Sequence, residues 1–319
     1  MLETGASELV SLTLGQLTDP SKRLYWGFIT TSLALIALYW WLSPAPLSWA
    51  RVQTTLFSRR YWLTRSTLTD VSLLSLNSLI KVLVLIPILG SHLLGAVWVA
   101  GVLQRQFDSP PALDLPTWVI AVVFSLCFFL LEDLSRYGLH RLMHRVPMLW
   151  RLHRVHHSAT TLTPLTLHRV HPIEMTFYAL RGWLIFSLVS GVFLYLAGKQ
   201  LTAVHILGVD ALGFLFNALG ANLRHSHIPL SFGPLERWLI SPVQHQIHHS
   251  SAPEHVDKNF GTCLALWDKL GSSWVSGREV MKNSFTSAST DNGISKDETA
   301  GRRDRNKLRF GLTQPETQN

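Results

Sequence analysis

Residues 117–145 read TWVIAVVFSLCFFLLEDLSRYGLHRLMHR. The first half is uncharged and apolar. No proline or glycine breaker separates it from the charged half that follows, so one long helix is expected to leave a bilayer and carry polar side chains out of it. His140 and His144 close that stretch. Residues four apart stack on one face of a helix, so both imidazoles reach the same side. Glu132 and Arg136 continue that stripe toward the N-terminus, and Asp133 lies on roughly the same face. A carboxylate there is placed to accept the second ring N–H of a metal-bound histidine and fix its tautomer.

Four more apolar runs flank this helix, at about 24–43, 71–103, 175–197 and 201–219. The run 71–103 is too long for one straight crossing of a ~30 Å hydrocarbon core. It contains Lys81, Pro87 and Gly90, which fits either a tilted helix with an amphipathic lead-in or a broken pair. The last two runs meet at Gly198 and Lys199 as a helical hairpin. The expected fold is therefore all-α: a multi-pass integral membrane bundle of about 4–5 spans, with a cytosolic, helical, histidine-rich metal cap. Three regions follow: N-terminal spans and linkers in 1–115, a catalytic domain in 116–276, and a polar tail in 277–319 expected to be disordered.

Composition agrees. The chain has 319 residues, 47% of them hydrophobic and 15% charged, against about 25% charged in ordinary soluble domains. Twelve tryptophans suit a bilayer interface. The net charge of +8 is concentrated in arginines beside apolar runs, at Arg51, Arg59, Arg60 and Arg65 and again at Arg136, Arg141, Arg145, Arg151 and Arg154. That is the positive-inside bias of a membrane protein rather than a nucleic-acid surface, and it puts the histidine-rich side in the cytosol. Lys22 and Arg23 pull the N-terminus to the same side. The membrane is a bacterial inner membrane or endoplasmic reticulum.

With only Cys127 and Cys263, neither a disulfide framework nor a thiolate zinc motif is available. Histidine supplies the chemistry instead. His153, His156 and His157 stand in HRVHH, and His245, His248 and His249 in HQIHH. In each segment the first and fourth residues are expected near one face, the fifth about 100° away, so that one segment serves two metals. His225, re-entering the polar side after the last apolar run, is a further candidate ligand, and His171 is either a ligand or an outer residue. His168 and His227 read as structural or outer residues, His92 and His205 as interior histidines, and His255 as a loop residue at the site entrance. A zinc-protease helix needs Glu after its first histidine, where this chain has Arg141. Imidazole suits both iron and zinc.

HRLMH, HRVHH and HQIHH at this spacing resemble the fatty acid hydroxylase/sterol desaturase superfamily of membrane-bound, histidine-box, non-haem di-iron oxygenases. The resemblance covers roughly 120–275, and Asp133 and Tyr137, RVHPIE at 169–174, His225-Ser226, Asn259-Phe260-Gly261 and Trp267-Asp268 support it. It implies that His140, His144, His153, His156, His157, His225, His245, His248 and His249 are metal ligands. Asp133, Tyr137, Glu174 and Asp257 would hold those ligands from behind. It also implies two iron ions, or zinc as an alternative, and an O2-dependent hydroxylation or desaturation of a sterol, fatty acyl or related lipid. Electrons would come from an external donor, a ferredoxin or a b-type cytochrome with its reductase, since no GxGxxG after a strand is visible. Where the family pattern has Asn, this chain has His227. The rival readings are a membrane zinc-dependent lipid hydrolase and a non-enzymatic membrane metal-binding or transport protein.

Overall fold

The computed structural model describes residues 15–42, 49–108, 115–198 and 211–281. Among them there is no strand, only an isolated antiparallel bridge between Leu239 and Leu264. The α-helices of five residues or more are α1 (Trp26–Trp41), α2 (Trp49–Leu56), α3 (Arg65–Ile80), α4 (His92–Phe107), α5 (Thr117–Arg145), α6 (Pro147–His157), α7 (Pro172–Ala197), α8 (Ala211–Ala218), α9 (Pro242–His248) and α10 (Leu266–Leu270), joined in places by shorter helical turns.

Three stretches are long and apolar enough to cross a membrane: Arg65–Phe107, Thr117–Arg145 and Pro172–Ala197. Helix α1 is apolar but shorter, at 16 residues. The second arm of the expected hairpin falls largely on 201–210, outside the described residues, as do Lys199, His205 and positions 282–319 of the tail. The long run 71–103 is broken. After α3 the chain passes through a π-helical turn at Lys81–Leu85, and Gly90 then takes φ 69, a backbone conformation that side chains disfavour. Ser91 restarts a helix by accepting from the Leu94 N–H at 3.2 Å.

Helix α4 lies along α7, and small residues make that approach possible. A Cβ at Gly191 would lie 2.5 Å from Val99 Cβ and 2.7 Å from Ala96 O. A Cβ at Gly95 would collide with Ser187. On its other flank α7 packs against α5 through Ile120, Phe124, Val189 and Ala197. One carboxylate, Glu132, ties the same helices by charge. Arg181 donates to both Glu132 oxygens at 2.7 and 2.8 Å, and Arg136 donates to the same Glu132. Arg181, an ion inside an apolar run, is thus paired rather than bare.

Pro147 ends α5 and starts α6. It forces the preceding Val146 into an extended conformation, φ −97 and ψ 116, which turns the chain back so that the two first histidine segments face each other. Gly191→Ala should overpack the contact between α4 and α7 at a cost of about 1–3 kcal/mol, read as a lower melting temperature in detergent. An unchanged melting temperature would mean that these helices do not approach as closely as described.

Candidate metal centre

The helical repeat sorts the imidazoles into two groups. His140, His144, His153, His157 and His248 place one ring nitrogen each within 4.8 Å of one another, and His156, His225, His245 and His249 do the same. In both HxxHH segments the first and fifth residues share one group, and the fourth crosses to the other. The expected pairing of His153 with His156 is therefore corrected: residues four apart superpose better than residues three apart, and His153 joins His157. The groups adjoin, with the His157 and His249 rings stacked at 4.5 Å.

In the first group the outer nitrogens are fixed by oxygen acceptors. His140 Nδ1 donates to Phe260 O at 2.8 Å and His248 Nδ1 to Lys258 O at 2.8 Å, and His153 Nδ1 pairs with Glu174 Oε1 at 2.6 Å. A backbone carbonyl can only accept, so His140 Nδ1 and His248 Nδ1 carry the proton and their Nε2 atoms keep a lone pair, while His153 Nδ1 and the Glu174 carboxyl share one proton between them. His144 Nδ1 faces Asp257 Oδ1 at 3.4 Å. Buried His144 Nε2 and His248 Nε2 have no protein partner, and neither ring nitrogen of His249 has one. In the second group His225 Nε2 stands 3.2 Å from His156 Nε2 and 3.0 Å from His245 Nε2. Unpaired buried acceptors are costly. Lone pairs converging on two points are what divalent transition metals satisfy, so this donor set fits a pair of such ions.

Burial, with neighbouring histidines as a further cause, pushes His153, His157, His225, His245, His248 and His249 well below their usual 6.5, and pushes His156 down to about 3. The rings are neutral at physiological pH, as ligation requires. The unfolded chain binds protons near 6.5 and the folded chain only well below it. Between those limits acid favours unfolding. Metal-free protein should thus lose thermal stability progressively as pH falls below about 6.5, and a melting temperature unchanged between about pH 7 and about pH 5 would contradict buried neutral rings.

The scaffold behind the rings differs in part from expectation. Asp133 does not touch a histidine. It accepts from the Cys263 and Leu264 backbone N–H groups and from Trp267 Nε1, each at 2.9 Å, and so ties the 263–267 loop to α5. Two helical turns, ~10 Å, separate it from His140. Glu174 holds a ligand ring instead. Tyr137 accepts from Arg141 Nη1 at 2.6 Å and packs edge-on against Phe260. Asp268 accepts from the Phe260 and Gly261 N–H groups at 2.8 and 2.7 Å, which orients the Phe260 carbonyl toward His140. The capping box of Ser241 and Gln244 starts α9.

His171 lies outside both groups and caps α7, accepting from the Ile173 N–H at 3.2 Å. His168, His227 and His255 are also outside. His92 packs edge-on against Phe186.

Sequence reasoning passed over Arg169 and Asp70. Buried Arg169 donates to Val155 O at 3.1 Å, to Ser158 O and Oγ at 3.3 and 3.0 Å, and to Ser66 Oγ and Asp70 Oδ1 at 2.9 and 3.2 Å. It pins the end of HRVHH to α3. An acid beside an apolar run was the available signal. Asp70→Ala leaves the guanidinium buried without its counter-ion and should cost about 3–5 kcal/mol in denaturant unfolding. A loss under about 1 kcal/mol would mark the pair as incidental.

The fatty acid hydroxylase family model matches residues 125–273. Over that region the chain is similar to the fatty acid hydroxylase family. The matched region contains every histidine of both groups. Relatives include alkylglycerol monooxygenase of Xenopus tropicalis, 30% identical over 50% of this chain and 32% of that protein, and its Danio rerio counterpart, 31% identical over 51% and 33%. The ornithine lipid hydroxylase OlsE of Rhizobium tropici is 29% identical over 44% and 38%. The chain spans about a third of the length of the first two relatives. No solved structure matches. With its apolar helices and these relatives, the chain is a membrane protein.

Proposed function

We propose that the chain is a membrane-bound, di-iron, O2-dependent lipid hydroxylase. The observation that carries the reading is the convergence of buried, neutral imidazoles into two adjoining groups with unpaired nitrogens. The ligands are His140, His144, His153, His157 and His248 for one ion, and His156, His225, His245 and His249 for the other. Hydroxylation is favoured over desaturation because similar proteins carry the names monooxygenase and hydroxylase. When bound, the two irons supply the reduction of O2, one oxygen atom entering a C–H bond of the lipid and the other leaving as water with two external electrons and two protons.

The residues around them prepare that chemistry. Glu174, Asp257 and the carbonyls of Phe260 and Lys258 hold ring orientation from behind. Phe260 and Trp150 pack against His144 at 5.0 Å each and help exclude water. Both carboxylates stand behind imidazoles, so among the described residues neither group contains a carboxylate placed as a hydrolytic base. This weighs against the zinc hydrolase reading.

Arg145, Arg151 and Arg154 are exposed beside the first group. They form a basic face for an acidic electron donor, a ferredoxin or a b-type cytochrome with its reductase. The same arginines support a cytosolic position for the centre, at a bacterial inner or endoplasmic reticulum membrane. Residues 116–276 form the catalytic unit, 1–115 its N-terminal membrane part and 277–319 a polar tail.

Anaerobically purified protein should hold close to two irons per chain and should transfer label from isotopic dioxygen into lipid when reduced. His248→Ala and His156→Ala should each lose iron and activity, and Glu174→Gln should weaken metal affinity about 10–100-fold. Full activity on stoichiometric zinc, or unlabelled lipid, would overturn the reading.

A further inference from the structure

One cavity adjoins the metal ligands and takes no part in holding them. It measures about 290 Å³ and is walled on one side by Leu223, Ser226, His227 and Ile228, the residues on either side of His225, with Pro164 and Leu165. The other side comes from Leu17, Leu24, helix α1 and the stretch after α2, through Tyr61 and Trp62. On α1 the lining residues are Ile29, Ser32, Leu33 and Ile36, one stripe of a helix extending over ~10 Å. Those N-terminal walls lie outside the region that matches the family.

The polar groups on the lining are turned away from the space. Ser32 Oγ donates to Phe28 O at 2.7 Å, and Tyr61 Oη to Leu162 O at 2.7 Å. Trp62 Nε1 donates to Leu56 O at 2.6 Å, Asn222 Nδ2 to Arg23 O at 2.9 Å, and Ser226 Oγ to Leu223 O at 2.7 Å. His227, the remaining polar side chain, is exposed and packs edge-on against Tyr61. A cavity that offers so few hydrogen bonds holds water poorly and favours hydrocarbon. It also gives a lipid headgroup or a ring hydroxyl nothing to bind. At this volume it sits at the small end of ligand sites, about 300–1,000 Å³, which a flexible single chain fills more readily than a rigid fused-ring body.

We propose that this cavity receives the hydrocarbon chain of the lipid, and that Ser32 sets the chain length accepted. The proposal rests on the lipid hydroxylase reading for its substrate, but not for its geometry. Ser32 is the suited position because it is buried, small, and bonded only within its own helix, so enlarging it fills the cavity without cutting a link between elements. Each methylene kept out of apolar surroundings costs about fourfold in affinity.

The test has two arms. In the first, intact iron-loaded protein in detergent is photolabelled with a saturated fatty alcohol carrying a terminal diazirine, and the adducts are mapped by mass spectrometry. Adducts on 29–36, 61–62 or 223–228 are expected, with excess unlabelled fatty alcohol suppressing them. Adducts confined to the outer faces of α4 and α5 would overturn the proposal whether or not the protein oxidises lipid. In the second arm, Ser32→Phe should lower turnover of long-chain relative to short-chain substrates by about tenfold or more, with iron content equal to wild type. Ser32→Val serves the same purpose, with a smaller shift, if the larger side chain does not fold. An unchanged chain-length profile in an iron-replete variant would overturn the proposal. Correct labelling without lipid oxidation would leave the cavity assignment standing and remove the hydroxylase reading instead.

Discussion

Everything near the centre answers one constraint: imidazole rings must be kept neutral, dry and aimed at common points. Burial supplies the neutrality, because a charged ring in this environment is expensive. It also creates the difficulty, since a buried lone pair is costly unless something such as a metal ion satisfies it. Fixed acceptors behind the rings reduce that freedom. Phe260 O and Lys258 O each accept from an Nδ1–H and Glu174 pairs with a third Nδ1, which leaves Nε2 to face inward.

The acceptors depend in turn on buried acids that never approach a ring. Asp268 clamps the Phe260 and Gly261 amides, Asp133 clamps Cys263 and Leu264, and Glu236 accepts from Ser241 Oγ, the residue that starts α9. Arg169 does the corresponding work toward the apolar helices by joining the HRVHH segment to α3. The centre is therefore held between apolar helices and a loop framework. Either part alone would leave some of the rings without their orientation.

Much of this was legible in the sequence, for physical reasons. Long apolar runs have few alternatives to helix, and a histidine spaced four residues from another has a defined direction on that helix. What could not be read were the long-range pairs. Asp133 has a helical address that suggested a histidine partner, but its partners are amides 130 residues further along the chain. Asp70 acts across turns whose closure no local pattern encodes, whereas Glu174, expected behind a ligand ring from the resemblance, stands against His153. The assignment of His153 to His157 rather than His156 shows how a 3.6-residue repeat decides between near-equal neighbours once real rings must meet. His171, left open between ligand and outer residue, serves as a helix cap.

The two groups are not equivalent. The first is tied from behind at most of its Nδ1 atoms and lies beside exposed Arg145 and Arg151. In the second, His156 Nδ1, His245 Nδ1 and both nitrogens of His249 lack protein partners, and its rings are positioned mainly by one another, His225 lying 4.6 Å from His245 and 5.0 Å from His249. This second group contains His225, whose chain neighbours line the apolar cavity.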